Sequence, residues 1–199
     1  MSLTLILGAS RSGTSMVAQL CHANGAWMGD VTLKEYDPQA GYDQYENRAF
    51  RTLCRNMLHI DNNLPQAGLY VRMRAFLDSL PTDTEPVVLK YPKAFLLLPF
   101  FRSQCDLDAK IVYVIRDPWR RGTSVIKKDA ASFTQSLSEW EMAYNAMAVH
   151  TRGLSLHIAM FERFFYYPAG ETVALLDFIG IDYKIPVDIS CIDDKKRSA

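Results

Sequence analysis

The chain has 199 residues, of which 49% are hydrophobic and 22% are charged, and this is the profile of a soluble globular protein with a single domain over residues 1–199. Basic and acidic residues number 22 each, so no overall field attracts nucleic acid or an anionic membrane surface. No stretch reaches the ~20 apolar residues of a membrane helix, and no basic leader precedes the first apolar run, so we expect a cytoplasmic protein.

The first predicted elements are a strand, a turn that contains glycine, and a helix. Leu3–Leu7 is an apolar run of strand length, residues 8–13 read Gly-Ala-Ser-Arg-Ser-Gly, and apolar residues at helical spacing follow from Thr14. In such a unit, backbone N–H groups of the turn and of the first helical turn point at one place, where the helix dipole also favours negative charge. We therefore predict a phosphate-binding loop over residues 8–13, called the glycine loop below.

Strands and helices alternate along the rest of the chain. Strands are predicted over residues 87–90, 110–115 and 154–160, and helices over residues 45–58, 69–80, 94–101, 119–128, 134–152 and 169–179. Short strands that alternate with longer helices are typical of βαβ units. The expected fold is therefore a three-layer α/β/α domain with a central parallel sheet. The four cysteines are far apart in sequence and not at metal-ligand spacing, which predicts buried, reduced thiols and no metal site.

The glycine loop departs from the phosphate loop of ATPases and kinases at one position. The spacing from Gly8 to Gly13 fits G-x-x-x-x-G-K-[ST], but Thr14 replaces the lysine that reaches the β- and γ-phosphates. A cation is present earlier, at Arg11. The segment from Gly8 to Ser15 resembles the 5′-phosphosulfate-binding loop of the sulfotransferases, which use 3′-phosphoadenosine-5′-phosphosulfate (PAPS) as sulfuryl donor. A turn that serves only packing is the alternative interpretation of these eight residues.

A second motif follows the most apolar strand. Arg116 ends that strand, and Ser124 lies eight residues later. Ligands of parallel α/β sheets bind beyond the carboxyl ends of the strands, and a guanidinium group matches the geometry of a phosphate. The segment from Arg116 to Ser124 resembles the 3′-phosphate motif of the sulfotransferases. The alternative is a Walker B strand with Asp117 on magnesium, which requires the lysine that the glycine loop lacks.

Together the two motifs make residues 3–181 resemble a compact sulfotransferase of the bacterial or viral type, with the fold of the P-loop nucleotide hydrolases. The resemblance implies transfer of a sulfuryl group from PAPS to a hydroxyl or amine, without a metal, on a small-molecule, glycan or peptide acceptor. A weaker match at residues 161–168 implies that Phe161 packs on the adenine, with simple core packing as the alternative. The implied donor-binding residues are Arg11, Ser12, Gly13, Thr14, Ser15, Arg116, Ser124 and Phe161.

The resemblance also suggests catalytic residues. Lys90, at the end of its strand, resembles the family lysine near the sulfuryl group, although a surface lysine at a strand end is equally compatible with the sequence. Arg11 is expected to stabilise the leaving 5′-phosphate. In cytosolic members, a histidine two residues after the lysine is the general base. This chain has Pro92 at that position. The base is therefore expected to be a carboxylate, as in the glycan and tyrosyl-protein branches of the family.

Glu46 is the first candidate for that base, because the segment from Gly41 to Asn47 resembles the Gly-x-x-Glu-Asn/Asp element of bacterial members, with a longer spacing between the glycine and the glutamate. Asp43 is the second candidate, and the histidines remain possible bases: His22, His59, His150 and His157. Two other functions stay open from the sequence. One is a small P-loop nucleotide kinase, and the other is a PAPS- or PAP-binding module without catalysis, where PAP is adenosine 3′,5′-bisphosphate.

Overall fold

A computed structural model describes residues 3–31, 45–58, 66–81, 86–105, 109–129 and 132–192. Its parallel strands form one sheet in the order β2-β1-β3-β4. The strands are β1 (Leu3–Leu7), β2 (Val87–Lys90), β3 (Ala109–Ile115) and β4 (Leu156–Met160). The chain leaves β1 for β2 on one side and returns to β3 on the other, so the carboxyl ends of β1 and β3 flank the crevice where such sheets bind ligands.

Helices cover both faces of the sheet. They are α1 (Thr14–Ala23), α2 (Arg48–Leu58), α3 (Gln66–Asp78), a 3₁₀ helix (Pro92–Leu97), α4 (Leu98–Gln104), α5 (Pro118–Asp129), α6 (Phe133–His150), α7 (Arg163–Tyr166) and α8 (Pro168–Ile179). Alternate residues of β1 enter two separate cores, because side chains of a strand point to opposite faces. Leu5 packs with α2, α3, α4 and α6, whereas Ile6 packs with α1 and α8. This arrangement confirms the predicted three-layer α/β/α fold.

Several predicted boundaries were wrong by two or three residues. The helix expected from residue 45 begins at Arg48, because the Asn47 side chain accepts a hydrogen bond from Phe50 N at 3.0 Å and caps it. Tyr45 has a φ of 52°, which a helix does not tolerate. The strand expected from residue 154 begins at Leu156, since Leu154 N donates to Thr151 O in a turn.

The cysteines are buried and free, as expected. Burial raises the pKa of the Cys21 and Cys54 thiols well above the ordinary value, so they stay protonated and unreactive. Within the described ranges, no helix has the length and apolar character needed to cross a membrane.

Candidate active site

The glycine loop connects β1 to α1 in an unusual backbone conformation. Gly13 has a φ of 94° and Arg11 a φ of 65°, so both lie in the left-handed region. Gly8 N donates to Pro92 O at 3.2 Å, which ties the loop to the 3₁₀ helix after β2. The first N–H groups of α1, at Thr14 and Ser15, have no acceptor within the helix. Such groups form a binding site for phosphate or sulfate.

Gly13 is packed directly against Phe161. A Cβ at Gly13 would lie 2.0 Å from Cδ2 of that ring, so only glycine fits here. The ring is 4% exposed, and it belongs to the core between α1 and α8. Phe161 therefore lies beneath the glycine loop and supports it. Its predicted contact with adenine stays a prediction.

This contact leads to a test of the loop. Gly13→Ala should destabilise the protein by about 2–4 kcal/mol, because it adds steric overlap to a backbone that L-residues avoid. Gly25→Ala is the matched control: its φ is 104°, but nothing lies within 4 Å of its added Cβ. It should cost about 1–2 kcal/mol from the backbone alone. Urea unfolding of both variants measures the difference, and equal losses would show that Phe161 does not constrain the loop.

The residues of the two predicted phosphate motifs lie together. Arg11 donates from Nε and Nη2 to Ser124 Oγ at 3.3 and 3.2 Å. Arg116 donates from Nη1 to the Arg11 carbonyl at 3.3 Å, and its guanidinium lies 4.6 Å from the centre of the Phe161 ring. Burial lowers the pKa of Arg116, but an arginine remains charged in proteins. Two guanidinium groups and a hydroxyl therefore surround one place at the carboxyl ends of β1 and β3.

The Arg11 side chain reaches across to Ser124 of α5, in the 3′-phosphate motif. Its predicted contact with the 5′-phosphate stays a prediction. The left-handed φ of Arg11 helps to direct this side chain towards Ser124. The 5′ side of the loop retains the N–H groups of α1 and the hydroxyl of Ser15. Thr14 and Ser12 are buried, and Ser12 N donates to Ala9 O at 3.2 Å.

Lys90 and Glu46 form a buried ion pair at the other end of the glycine loop. Lys90 Nζ lies 2.7 Å from Glu46 Oε1 and 3.2 Å from Ser15 Oγ, and the lysine is 2% exposed. The surface-lysine interpretation is therefore wrong. Arg51 Nε lies 3.1 Å from Glu46 Oε2. Burial lowers the pKa of Lys90 below its usual 10.5, and the adjacent Glu46 carboxylate acts in the opposite direction.

A sequence profile described as the sulfotransferase family matches residues 4–184. The chain belongs to the sulfotransferase family. No curated protein matches the chain significantly. The family match does not favour the nucleotide-kinase alternative.

Three solved structures illustrate the shared fold. The sulfotransferase domain of the Synechococcus PCC 7002 olefin synthase is 14% identical with a TM-score of 0.61, over 100% of this chain and 88% of that one. The sulfotransferase domain from the curacin biosynthetic pathway is 15% identical with a TM-score of 0.56, over 100% and 82%. A mouse sulfotransferase in complex with PAP is 12% identical with a TM-score of 0.57, over 92% and 60%.

The histidines of this sulfotransferase lie away from the glycine loop wherever they are described. His22 is in the last turn of α1, about 12 Å from its start at ~1.5 Å per residue. The His157 ring packs on Phe178 at 5.3 Å, and His150 ends α6. Asp43 and His59 lie outside the described residues, and so does the charged C-terminal segment 193–199. Glu46 is therefore the candidate base that the structure places beside Lys90.

Sequence reasoning missed two charged residues that contact the glycine loop. Arg121 of α5 donates from Nε to Ser10 O at 2.6 Å, and Glu139 of α6 accepts from Ser10 Oγ at 2.7 Å. Arg121 lies inside the 3′-phosphate motif, so its position in the sequence could have identified it as a candidate site residue. No sequence signal pointed to Glu139, because it is 129 positions from Ser10 and lies on a helix that carries a second glutamate, Glu141. In the part of the chain that is described, no group of three His, Cys, Asp or Glu is placed to hold a metal ion.

Proposed function

We propose that this sulfotransferase uses PAPS as its donor and transfers the sulfuryl group to a hydroxyl or amine of a small-molecule, glycan or peptide acceptor. The observation that carries the proposal is the convergence of Arg11, Arg116 and Ser124, from two separate motifs, at the carboxyl ends of β1 and β3. PAPS differs from ordinary nucleotides by its 3′-phosphate, and guanidinium groups bind phosphate well. A cytoplasmic location, expected from the sequence, remains part of the proposal.

The residues present fit such a donor. The 3′-phosphate would be held by Arg11, Arg116 and Ser124, and the 5′ end by the first N–H groups of α1 with Ser15. Phe161 leaves no room for a Cβ at Gly13, so the loop has no side chain at that position. When bound, PAPS supplies the sulfuryl group and a bisphosphate leaving group.

The buried ion pair provides the chemistry that the chain itself contributes. Lys90 places a positive charge next to Ser15 at the start of α1, where negative charge is expected to develop at the leaving phosphate. Glu46 holds Lys90 in place and, as the carboxylate, accepts the proton of the acceptor hydroxyl or amine. The Arg51 guanidinium forms an ion pair with the second oxygen of Glu46, so the carboxylate stays oriented.

Calorimetry with PAP and with ATP-magnesium tests the donor. We expect the protein to bind PAP and to prefer it to ATP-magnesium, because the triphosphate lysine is absent and the 3′-phosphate residues are present. Preference for ATP-magnesium would contradict the proposal.

Transfer of a radiolabelled sulfuryl group from PAPS to a panel of phenols, sugars and tyrosyl peptides distinguishes an enzyme from a binding module. PAP binding without transfer to any of these acceptors would favour the module.

The role of Arg116 can be measured with two nucleotides. Arg116→Ala should weaken PAP binding by about 1.5–3 kcal/mol, the usual contribution of charged hydrogen bonds, and should affect adenosine 5′-monophosphate (AMP) little, because AMP lacks the 3′-phosphate. Arg72→Ala is the matched control, since that side chain is exposed on α3, outside both phosphate motifs. Equal losses for PAP and AMP would refute the assignment.

A further inference from the structure

Ser10 of the glycine loop is held on all of its polar groups. Its hydroxyl donates to Glu139 Oε1 at 2.7 Å, and its backbone N donates to the same oxygen at 3.2 Å. Its carbonyl accepts from Arg121 Nε at 2.6 Å. Both partners come from helices α5 and α6, far from Ser10 in sequence. These contacts fix the loop one residue before Arg11.

Arg121 and Glu139 also hold each other. Arg121 is 0% exposed, and its Nη2 pairs with Glu139 Oε2 while its Nη1 donates to the carbonyl and, at 2.7 Å, to the hydroxyl of Ser136. Burial acts to raise the pKa of Glu139, but hydrogen bonds from Ser10 and the charge of Arg121 outweigh it, so the pKa is lowered. Glu139 is therefore a carboxylate at neutral pH. Removing the carboxylate partner of a buried arginine strongly destabilises the folded protein, because the positive charge is left uncompensated.

Arg11 depends on this arrangement for its position. A non-glycine residue at a φ of 65° is uncommon and persists where its surroundings hold it. Ser10 holds the chain just before Arg11, and the Ser12 N bond to Ala9 O closes the turn around it. The Arg11 guanidinium then lies on Ser124 Oγ, and the Arg11 carbonyl accepts from Arg116. The position of the Arg11 guanidinium is thus set through Ser10.

We propose that Glu139 and Arg121 are positioning residues that hold Ser10, and thereby keep the Arg11 guanidinium at Ser124, so that the site selects nucleotides with a 3′-phosphate. The inference rests on the proposed use of PAPS. It adds a buried arginine and a half-buried glutamate that need not touch the nucleotide themselves. Their effect should appear as selectivity between PAP and AMP, which a purely structural role of the same residues would leave unchanged.

Glu139→Gln tests the proposal, with PAP and AMP affinities measured by calorimetry and stability measured by urea unfolding. Glutamine keeps an oxygen that can accept from Ser10, but it presents an NH₂ group to Arg121. The contacts that hold Ser10 should therefore weaken. We expect PAP affinity to fall about tenfold or more and AMP affinity to fall clearly less. Glu141→Gln, on the same helix at an exposed position, should bind both nucleotides like the unaltered protein. Ser10→Ala removes only the hydroxyl contact and should cause the same selective loss to a smaller extent.

The outcomes separate this inference from the proposed function. Failure of the unaltered protein to bind PAP would overturn both. Normal PAP affinity in Glu139→Gln, or equal losses for PAP and AMP in Glu139→Gln and Ser10→Ala, would overturn the inference alone. If Glu139→Gln does not fold, Ser10→Ala decides, since a serine on a loop is far less demanding to replace. In the Ser10→Ala background, Glu139→Gln should lower PAP affinity by a smaller factor than in the unaltered protein, because the two residues act together.

Discussion

Lys90→Met should reduce turnover by about 10²- to 10³-fold, the usual loss when one charged or hydrogen-bonding group at a developing charge is removed. Methionine fills a similar volume in a site where the lysine is 2% exposed, so packing is largely kept. The Glu46 carboxylate retains Arg51 at 3.1 Å and is not left without a cation. Steady-state kinetics with saturating PAPS and a reactive acceptor measures the effect.

The pH dependence gives a second measurement on Lys90. Because burial lowers its pKa, the lysine loses its charge at a lower pH than an ordinary lysine, and turnover should fall on the alkaline side below pH 10.5. That fall should be absent from the residual activity of Lys90→Met. Lys184→Met is the control, since its side chain is exposed and lies after the end of α8. Turnover of Lys90→Met within threefold of the unaltered protein would exclude a catalytic role.

The sequence allowed the fold to be predicted because its strongest patterns are local. The apolar run of β3 and the strand, glycine loop and helix unit at the N-terminus both form as expected. The strand order was not predictable in the same way, since it depends on which buried faces meet in space. Helix ends were predicted less well, as at Arg48, where a single capping side chain decides the start.

The candidate site was predictable where its residues lie in motifs. Arg116 and Ser124 share one segment, and Lys90 ends a recognisable strand. The contact of Arg11 with Ser124 spans 113 positions and depends on the left-handed backbone at Arg11, which no sequence pattern specified. The pairing of Glu139 with Ser10 is equally remote. Long-range contacts of single charged side chains carry no periodicity, so only the structure shows them.

The positive charges of the site are divided between two places. The Arg11 guanidinium contacts Ser124 and Arg116 donates to the Arg11 carbonyl, whereas Lys90 contacts Ser15 in the first turn of α1. The first group is suited to recognise the donor, and the second to assist the reaction. This division explains why donor binding and turnover should respond to different substitutions. The candidate base, Glu46, contacts Lys90 of the second group.

Glu46→Gln should reduce turnover by about 10²- to 10⁴-fold, the usual contribution of a positioned general base. Glutamine keeps the shape of the side chain and can still accept from Lys90, but it cannot take the proton of the acceptor. PAP binding should change much less than turnover, because Glu46 contacts Lys90 and Arg51 and lies apart from the 3′-phosphate residues. Turnover is measured at saturating donor, and PAP affinity by calorimetry.

Chemical rescue distinguishes a base from a residue that only holds Lys90. Glu46→Ala leaves room for a small carboxylate, so added formate should restore part of the turnover if the missing function is proton acceptance. The same formate should not restore Lys90→Met, in which the carboxylate is present and the cation is missing. Full turnover in Glu46→Gln, together with its loss in Asp43→Asn, would assign the base to Asp43. A slow Glu46→Ala variant that formate leaves unchanged would mean that Glu46 acts by orienting Lys90 across the 2.7 Å ion pair.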